Sequence, residues 1–218
     1  MDCVSFMKSK PDKCYDLAIV DPEYGININH NIGRRKGDKH SGHKKVKWDA
    51  KPPEDIYFEE LFRVSKNQII WGGNYFPQIW NKGCKCFIVW DKLFSDEVSF
   101  SMYELAWTLF NKTAKGFKHS PQNDKNKIHP TQKSVELYRW LLQNYAKPND
   151  KILDTHGGSM SIAIACDMEG FSLDICEIDK EYFDAGVKRF ENYKRQGVLF
   201  VPEQIKPEQT KLILYEQM

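Results

Sequence analysis

This sequence predicts an α/β domain built around a largely parallel sheet, on three observations. Short runs of strand-forming residues alternate with segments whose apolar residues recur at helical spacing. Glycines or an Asp-Pro pair close several of those runs at their carboxyl ends. The 218 residues, 41% hydrophobic and 28% charged, suit one soluble globular domain with a substantial core. A single domain over residues 1–218 is therefore expected, without internal repeats or low-complexity segments.

Residues 15–20, YDLAIV, read as a short buried strand. The stretch 52–64, PPEDIYFEELFRV, puts Tyr57, Leu61 and Val64 on one helical face, and Pro52-Pro53 suits its start. QIIWGG reads as a second strand closed by glycines, CFIVWDK as a third, and MYELAWTLF as a fourth between polar loops. In TQKSVELYRWLLQNYA, Val135, Tyr138, Leu141, Leu142 and Tyr145 recur at helical spacing, and KPND stops the helix. KILD is a strand, SIAIACDMEG a helix ending in Gly170, SLDICEI a strand and EYFDAGVKRFENYKR a helix. KLILYEQ is a candidate last strand. Ligands of such sheets sit beyond the carboxyl ends of the strands, which places Asp21, Gly72, Gly73, Asp91, Asp154 and Glu177 along one rim.

A formal net charge of +2 says little about partners; its distribution says more. Residues 34–51 hold eight Lys or Arg against two acids, and 112–128 add five lysines. Both lie in long polar stretches, 27–51 and 111–128, expected to be loops. Arg34, Arg35, Lys36, Lys39, Lys44, Lys45, Lys115 and Lys118 are candidate phosphate contacts. His30, His40 and His43 lack cysteine partners and read as solvent-facing or phosphate-contacting, so no metal is expected. Six scattered cysteines without a C-x-x-C pair suit reduced thiols. No apolar run reaches membrane-span length and no signal-peptide pattern opens the chain, so the expected setting is the cytoplasm.

Two stretches carry chemistry. From Lys151 to Glu177 the order is strand, glycine turn, helix, strand and terminal acid, with Asp154 and Glu177 at about the 20-residue spacing of a ribose-binding acid. Gly157 and Gly158 allow close backbone approach, Glu177 can accept ribose hydroxyls, and the helix start near Ser159 favours a carboxylate. The glycines do not follow G-x-G-x-x-G, which disfavours a dinucleotide. In AIVDPEYGI, Asp21 can accept from an exocyclic amino group, the Pro22 carbonyl can take its second hydrogen, and Tyr24 can stack on a planar base. Taken alone, that tetrapeptide fits a proline turn with Tyr24 in the core better.

DPEYG, HPTQKSVEL and ILDTHGGSMSIAIA followed by CEIDKEYF together resemble the amino-methyltransferases of DNA, specifically the adenine-N6 branch. The D-P-P-Y-like motif precedes the H-P-T-Q-K-P-like and D-P-F-x-G-S-G-like motifs, as in the permuted β-type order. QIIWGGNYF, VWDK and ELAWT are similar to blocks of small phage and prophage members, so the likeness covers residues 2–193. It implies a Rossmann-like methyltransferase fold, helices on both faces of the sheet, S-adenosylmethionine as cofactor, and double-stranded DNA with a flipped-out adenine as substrate. By the resemblance, Asp21, Pro22 and Tyr24 form the target-base clamp, with Glu23 counted among the catalytic candidates from its place within it. Asp154, His156, Gly157, Gly158 and Ser159 line the cofactor loop, and Glu177 takes the ribose. Thr131 and Lys133 approach the methionine end of the cofactor, and Asp2 stands for the acid of the G-D-x-L segment. The segment 111–128 occupies the place of the target-recognition region.

The chain departs from that pattern at four places. Glu23 replaces a second proline, Thr155 and His156 replace Pro-Phe, and Met160 replaces a glycine. The Met160 change is expected to remove a place of close approach to the cofactor. These departures motivate one alternative, a catalytically idle nucleic-acid-binding module on the same fold. Cytosine-N4, RNA or small-molecule methylation by the same site is another. The recognition sequence, the choice between monomer and homodimer, and any restriction partner are not legible in the residues.

Overall fold

The computed structural model describes residues 2–27, 48–95, 101–123, 127–196 and 212–215. Its elements in chain order are α1 (Cys3–Lys8), β1 (Tyr15–Val20), α2 (Asp55–Val64), β2 (Ser65–Trp71), α3 (Pro77–Trp80), β3 (Ile88–Asp91) and β4 (Tyr103–Thr108). They continue with β5 (Lys115–Lys118), α4 (Val135–Tyr145), β6 (Lys151–Asp154), α5 (Ser161–Glu169), β7 (Ser172–Cys176), α6 (Lys180–Arg195) and β8 (Leu212–Tyr215). The strands form one eight-stranded sheet in the order β5-β3-β4-β2-β1-β6-β7-β8. Only β4 runs against its neighbours, pairing antiparallel with both β2 and β3. The largely parallel α/β sheet read from the alternation is therefore present.

Period-two burial assigns the two faces. Leu17 and Ile19 of β1 join Ile69, Ile152 and Leu173 under α4, α5 and α6. Ala18 and Val20 pack with Ile70 and Leu153 under α1, α2 and α3. Strands covered on both sides read as continuous apolar runs, which is why YDLAIV shows no polar alternation. Tyr57, Leu61 and Val64 face the core from α2 as their spacing predicts. Both prolines precede that helix, which starts at Asp55, and β2 begins at Ser65 directly after it ends. None of the described helices is long and apolar enough to cross a membrane.

The topology sets the position of the site. β1 lies between β2 and β6, with α2 leaving toward one face and α5 toward the other. A cleft opens at such a switch point beyond the carboxyl ends of the strands. Asp21 follows β1 there, and Asp154 ends β6.

The 111–128 stretch is not a loop throughout. Residues 115–118 add a parallel strand to β3, with Val89 opposite Gly116 and Trp90 opposite Phe117. Its four residues, KGFK, carry too weak an alternation to announce an edge strand.

Candidate active site

A cavity of about 1340 Å³ lies on this rim, running from Glu177, Ile178 and Tyr182 at one end to Tyr24, Tyr75 and Tyr103 at the other. Of the expected site residues, Asp2, Asp21, Pro22, Glu23, Tyr24, Thr131, Lys133, His156, Gly157, Gly158, Ser159 and Glu177 all line it. The two stretches singled out in the sequence, more than a hundred residues apart, thus share one hollow.

At the cofactor-loop end, the chain turns sharply between β6 and α5. Gly157 leaves little room for a side chain: a Cβ there would sit 2.9 Å from Ile175 Cδ1 and 3.2 Å from the Cys176 carbonyl, so Ile175 would have to shift. Its amide donates to that same carbonyl at 2.7 Å. Glu177 is held by two backbone donors, Gly158 N at 2.7 Å and Asp179 N at 2.8 Å. A carboxylate fixed in this way keeps lone pairs directed at a ligand. Arg189 of α6 pins the far side of the turn, donating to the Ser159 carbonyl at 2.7 Å and Ser161 Oγ at 2.9 Å.

Two expectations for this loop change. Asp154 does not line the cavity; it is 1% exposed beneath the loop, where its Oδ1 accepts from the His156 amide at 2.9 Å. Burial, reinforced by the nearby charges of Asp21 and Glu177, raises its carboxyl to about 7 despite that amide and the His156 charge. Met160 likewise stays out of the cavity. It takes a left-handed φ of 56° ahead of α5, and its side chain is buried against Gly186 of α6. The glycine it replaces was expected at the ligand, but this side chain fills core instead.

At the clamp end, Tyr24 Oη donates to Asp21 Oδ1 at 2.7 Å and Lys133 Nζ donates to Asp21 Oδ2 at 2.6 Å. Burial together with the Asp21 and Glu104 charges keeps the Tyr24 phenol far above its ordinary value, so it stays a neutral donor. Its ring stacks on Tyr75 at 5.0 Å, with planes 14° apart. Gly72 approaches the ring from β2: with φ +67°, a Cβ would stand 2.2 Å from Tyr24 Cε1. Replacing Gly72 by alanine is therefore expected to displace Tyr24 and cost about 1–3 kcal/mol. Urea unfolding midpoints of the two proteins check it.

Lys133 lines the cavity, and the structure adds partners that the sequence does not announce. Its side chain is 3% exposed, between Asp21 and Glu104 Oε2, the latter at 3.0 Å. Lys92 closes the group from the other side, 2.5 Å from Glu104 Oε1. Burial opposes the charge on Lys133, but the two carboxylates outweigh it and raise the ammonium above its ordinary value. Burial likewise opposes ionisation of Glu104, and the two lysines hold it below the usual carboxylate range. Glu104, Lys92, Tyr75 and the buried Tyr138 were missed in the sequence. ELAWT was recognisable as a block, but nothing in it marks Glu104 as the partner of a residue in HPTQK.

Thr131 lines the cavity with its Oγ1 3.1 Å from His129 Nδ1, and the cap of α4 is Ser134, which accepts from the Leu137 amide at 3.0 Å. Asp2 caps α1 through the Ser5 amide at 2.7 Å while facing the cavity. Among the proposed phosphate contacts, Arg34, Arg35, Lys36, Lys39, Lys44 and Lys45 lie outside the described residues, as do His30, His40 and His43. The ends of that segment meet beside the clamp: Gly25 N donates to Asp49 Oδ1, and Asn27 N to Asp49 O, both at 2.9 Å. Lys118 ends β5 on the site rim, whereas Lys115 begins that strand at the opposite rim and donates to Asn144 Oδ1 near the end of α4.

Comparison with known proteins bears on this geometry. A family profile described as DNA methylase, of the N6/N4 methyltransferase type, matches residues 26–188. M.HinfI of Haemophilus influenzae, a type II methyltransferase, is 22% identical over 88% of this chain and 67% of its own length. YubD of Escherichia coli (strain K12), a methylase by provisional designation, is 27% identical over 93% of this chain and 96% of its own. Among solved structures, an M1.HpyAVI–SAM complex superposes with a TM-score of 0.57 at 22% identity, covering 87% of this chain and 96% of that one. The cytosine-N4-specific PvuII DNA methyltransferase gives 0.59 at 12% identity, covering 95% and 87%. The profile spans most of the chain and the solved structures share its fold: this protein belongs to the N6/N4 DNA methylase family.

Proposed function

We propose that this chain transfers a methyl group from S-adenosylmethionine to the exocyclic N6 amino group of adenine in DNA. The observation that carries the reading is the single cavity with the Glu177-anchored loop at one end and the Asp21–Tyr24 clamp at the other. Its residues suit that cofactor. A fixed carboxylate at a strand end matches ribose hydroxyls, Gly157 and Gly158 let the backbone come close, and Ile178 offers an apolar surface 56% exposed. When bound there, the cofactor supplies an electrophilic methyl group.

The protein's own residues would supply alignment. Each Asp21 oxygen accepts one hydrogen bond, from Tyr24 or Lys133, and a carboxylate oxygen has room for another. Asp21 can therefore accept from the amine without changing its own orientation. Pro22 also lines the cavity, and its carbonyl would be the acceptor for the second amine hydrogen. Drawing on both protons localises the nitrogen lone pair, which an amine conjugated to a purine otherwise shares with the ring. The Tyr24–Tyr75 stack gives the base an aromatic platform. Holding both reactants in line accounts for most of the expected acceleration.

DNA must present the base outside the helical stack, as enzymes acting on bases require. The basic segment between Asn27 and Asp49 departs from and returns to the mouth of the cavity, which suits phosphate contact there, and Lys118 extends the same rim. Adenine is preferred over cytosine because the motif opens with Asp, as in the adenine-N6 branch it resembles. Cytosine N4 is the second reading, since it offers the same amine and the PvuII enzyme of this fold is cytosine-N4-specific.

The test is transfer of labelled methyl from S-adenosylmethionine to unmethylated genomic DNA. Asp21→Ala should lower the rate by at least about 100-fold. Equal incorporation by both proteins would remove Asp21 from the mechanism. Digestion of the product to nucleosides should show label in N6-methyldeoxyadenosine; label in N4-methyldeoxycytidine selects the second reading.

A further inference from the structure

We infer that Glu23 and His156 work as one positioning unit, an ionic bridge that ties the base clamp to the cofactor loop and raises the affinity for S-adenosylmethionine from the clamp side. The inference rests on the methyltransferase reading above, and its ground is contact geometry. Glu23 Oε2 lies 3.4 Å from His156 Nε2, with side chains 25% and 18% exposed on the cavity wall. The other ring nitrogen is engaged too: His156 Nδ1 is 2.9 Å from Thr155 Oγ1, which is 2.8 Å from the Tyr57 hydroxyl on α2. The Tyr57 ring packs edge-on against the imidazole at 5.5 Å. One imidazole therefore spans from the segment after β1 to α2, and its own backbone amide is fixed on Asp154.

The bridge joins the two places where this chain departs from the D-P-P-Y and D-P-F patterns, so the substitutions meet each other instead of standing as separate defects. It shares no ion pair with the Asp21–Lys133–Glu104–Lys92 group among the described residues. The charged and titratable groups facing His156 are Glu23 after β1, Asp154 at the end of β6, Glu177 after β7 and Tyr57 from α2, while Cys3 of α1 faces Glu23. Burial disfavours the imidazolium, but Glu23, Asp154 and Glu177 outweigh it and raise His156 above its ordinary value. Burial also disfavours ionised Glu23, and the His156 charge holds it below its usual range. The bridge is thus intact below the ordinary imidazole value and is lost as pH rises through the elevated His156 value.

A partly exposed ion pair that merely joins two loops contributes little. This one differs in its attachment: it holds the loop whose backbone lines the cavity, so breaking it makes the ligand order that loop on binding. Glu23 then influences the cofactor only through His156.

The experiment is calorimetric titration of the whole protein with S-adenosylmethionine, without DNA, for wild type, Glu23→Gln, His156→Gln and the double variant. Glu23→Gln should weaken binding about tenfold in the wild-type background and less than about twofold in the His156→Gln background. The tenfold loss should shrink as pH is raised through the titration of His156. In transfer assays the KM for cofactor should rise with Glu23→Gln in the wild-type background and change little in the His156→Gln background. Equal losses in both backgrounds, no loss, or a pH-independent loss overturns the bridge, as does a fall in kcat in both backgrounds, which would put Glu23 on the base. A wild type that binds no cofactor overturns the functional reading and the bridge with it. Should His156→Gln fail to fold, Glu23→Gln measured across pH still decides, and His156→Phe replaces the second background.

Discussion

Replacing Lys133 with methionine is expected to cost the fold about 3–5 kcal/mol at neutral pH. Methionine matches the length of the aliphatic stem, so packing against Trp71, whose ring lies 5.2 Å from Nζ, is largely kept. What disappears is the positive charge between Asp21 and Glu104, two carboxylates left facing each other with only Lys92 beside them. The pH dependence follows from the directions of the shifts. In wild type the depressed Glu104 contributes stability above its ordinary 4.5, lost only as pH falls through its lower folded value. The raised Lys133 contributes below its ordinary 10.5, lost only as pH rises through its higher folded value. Stability from this group is therefore flat across the neutral range. In the variant Glu104 keeps only Lys92 against its burial, so its carboxyl rises and stability should fall as pH rises through the carboxylate range. Denaturant unfolding at several pH values measures both. Lys92→Met should cost less, because that side chain is 13% exposed against 3% for Lys133 and touches only one of the acids. A flat pH profile for Lys133→Met would show that the charge is not what the fold needs there.

What was legible in the sequence, and what was not, divides along a physical line. Buried parallel strands and amphipathic helices announce themselves through period and composition, so the order of β1, α2, β2, α4, β6, α5, β7 and α6 could be read residue by residue. The rim followed from topology once the sheet was taken as parallel, and Asp21, Gly72, Asp154 and Glu177 do end strands on one side. Pairing between distant side chains has no local signature. Lys133 looks like any helix-flanking lysine until β4 brings Glu104 to it, and the Glu23–His156 contact needs β1 and β6 to be neighbours. Met160 shows the converse error, in which a position is judged from the residue it replaces. A left-handed backbone can carry a methionine where the side chain has core to fill, and Gly186 leaves that room.

Replacing Asp154 with asparagine should make the free protein more stable at neutral and alkaline pH while weakening cofactor binding. Burial raises this carboxyl from 3.8 to about 7, so its ionisation opposes folding. For a carboxyl raised in the folded state, the favourable contribution is complete below the unfolded value and is lost as pH rises through the folded one. Wild type should therefore lose up to about 1.4 kcal/mol per pH unit from this residue across that window. Asparagine does not ionise, and its side-chain oxygen can still accept from the His156 amide now bound to Asp154 Oδ1 at 2.9 Å. The two proteins should match near pH 4 and diverge steadily to about pH 7, the variant being the more stable. Binding runs the other way. S-adenosylmethionine carries a net positive charge, and a cation held in the cavity would favour ionised Asp154, so wild type should release a proton on taking it up near pH 7, and the variant should not. Calorimetry in two buffers of different ionisation enthalpy detects that proton. An Asp154→Asn protein that gains no stability would show that water or a neighbouring group already solvates the charge. One that gains stability and keeps full affinity would separate Asp154 from the cofactor and leave its carboxylate without a part in the chemistry.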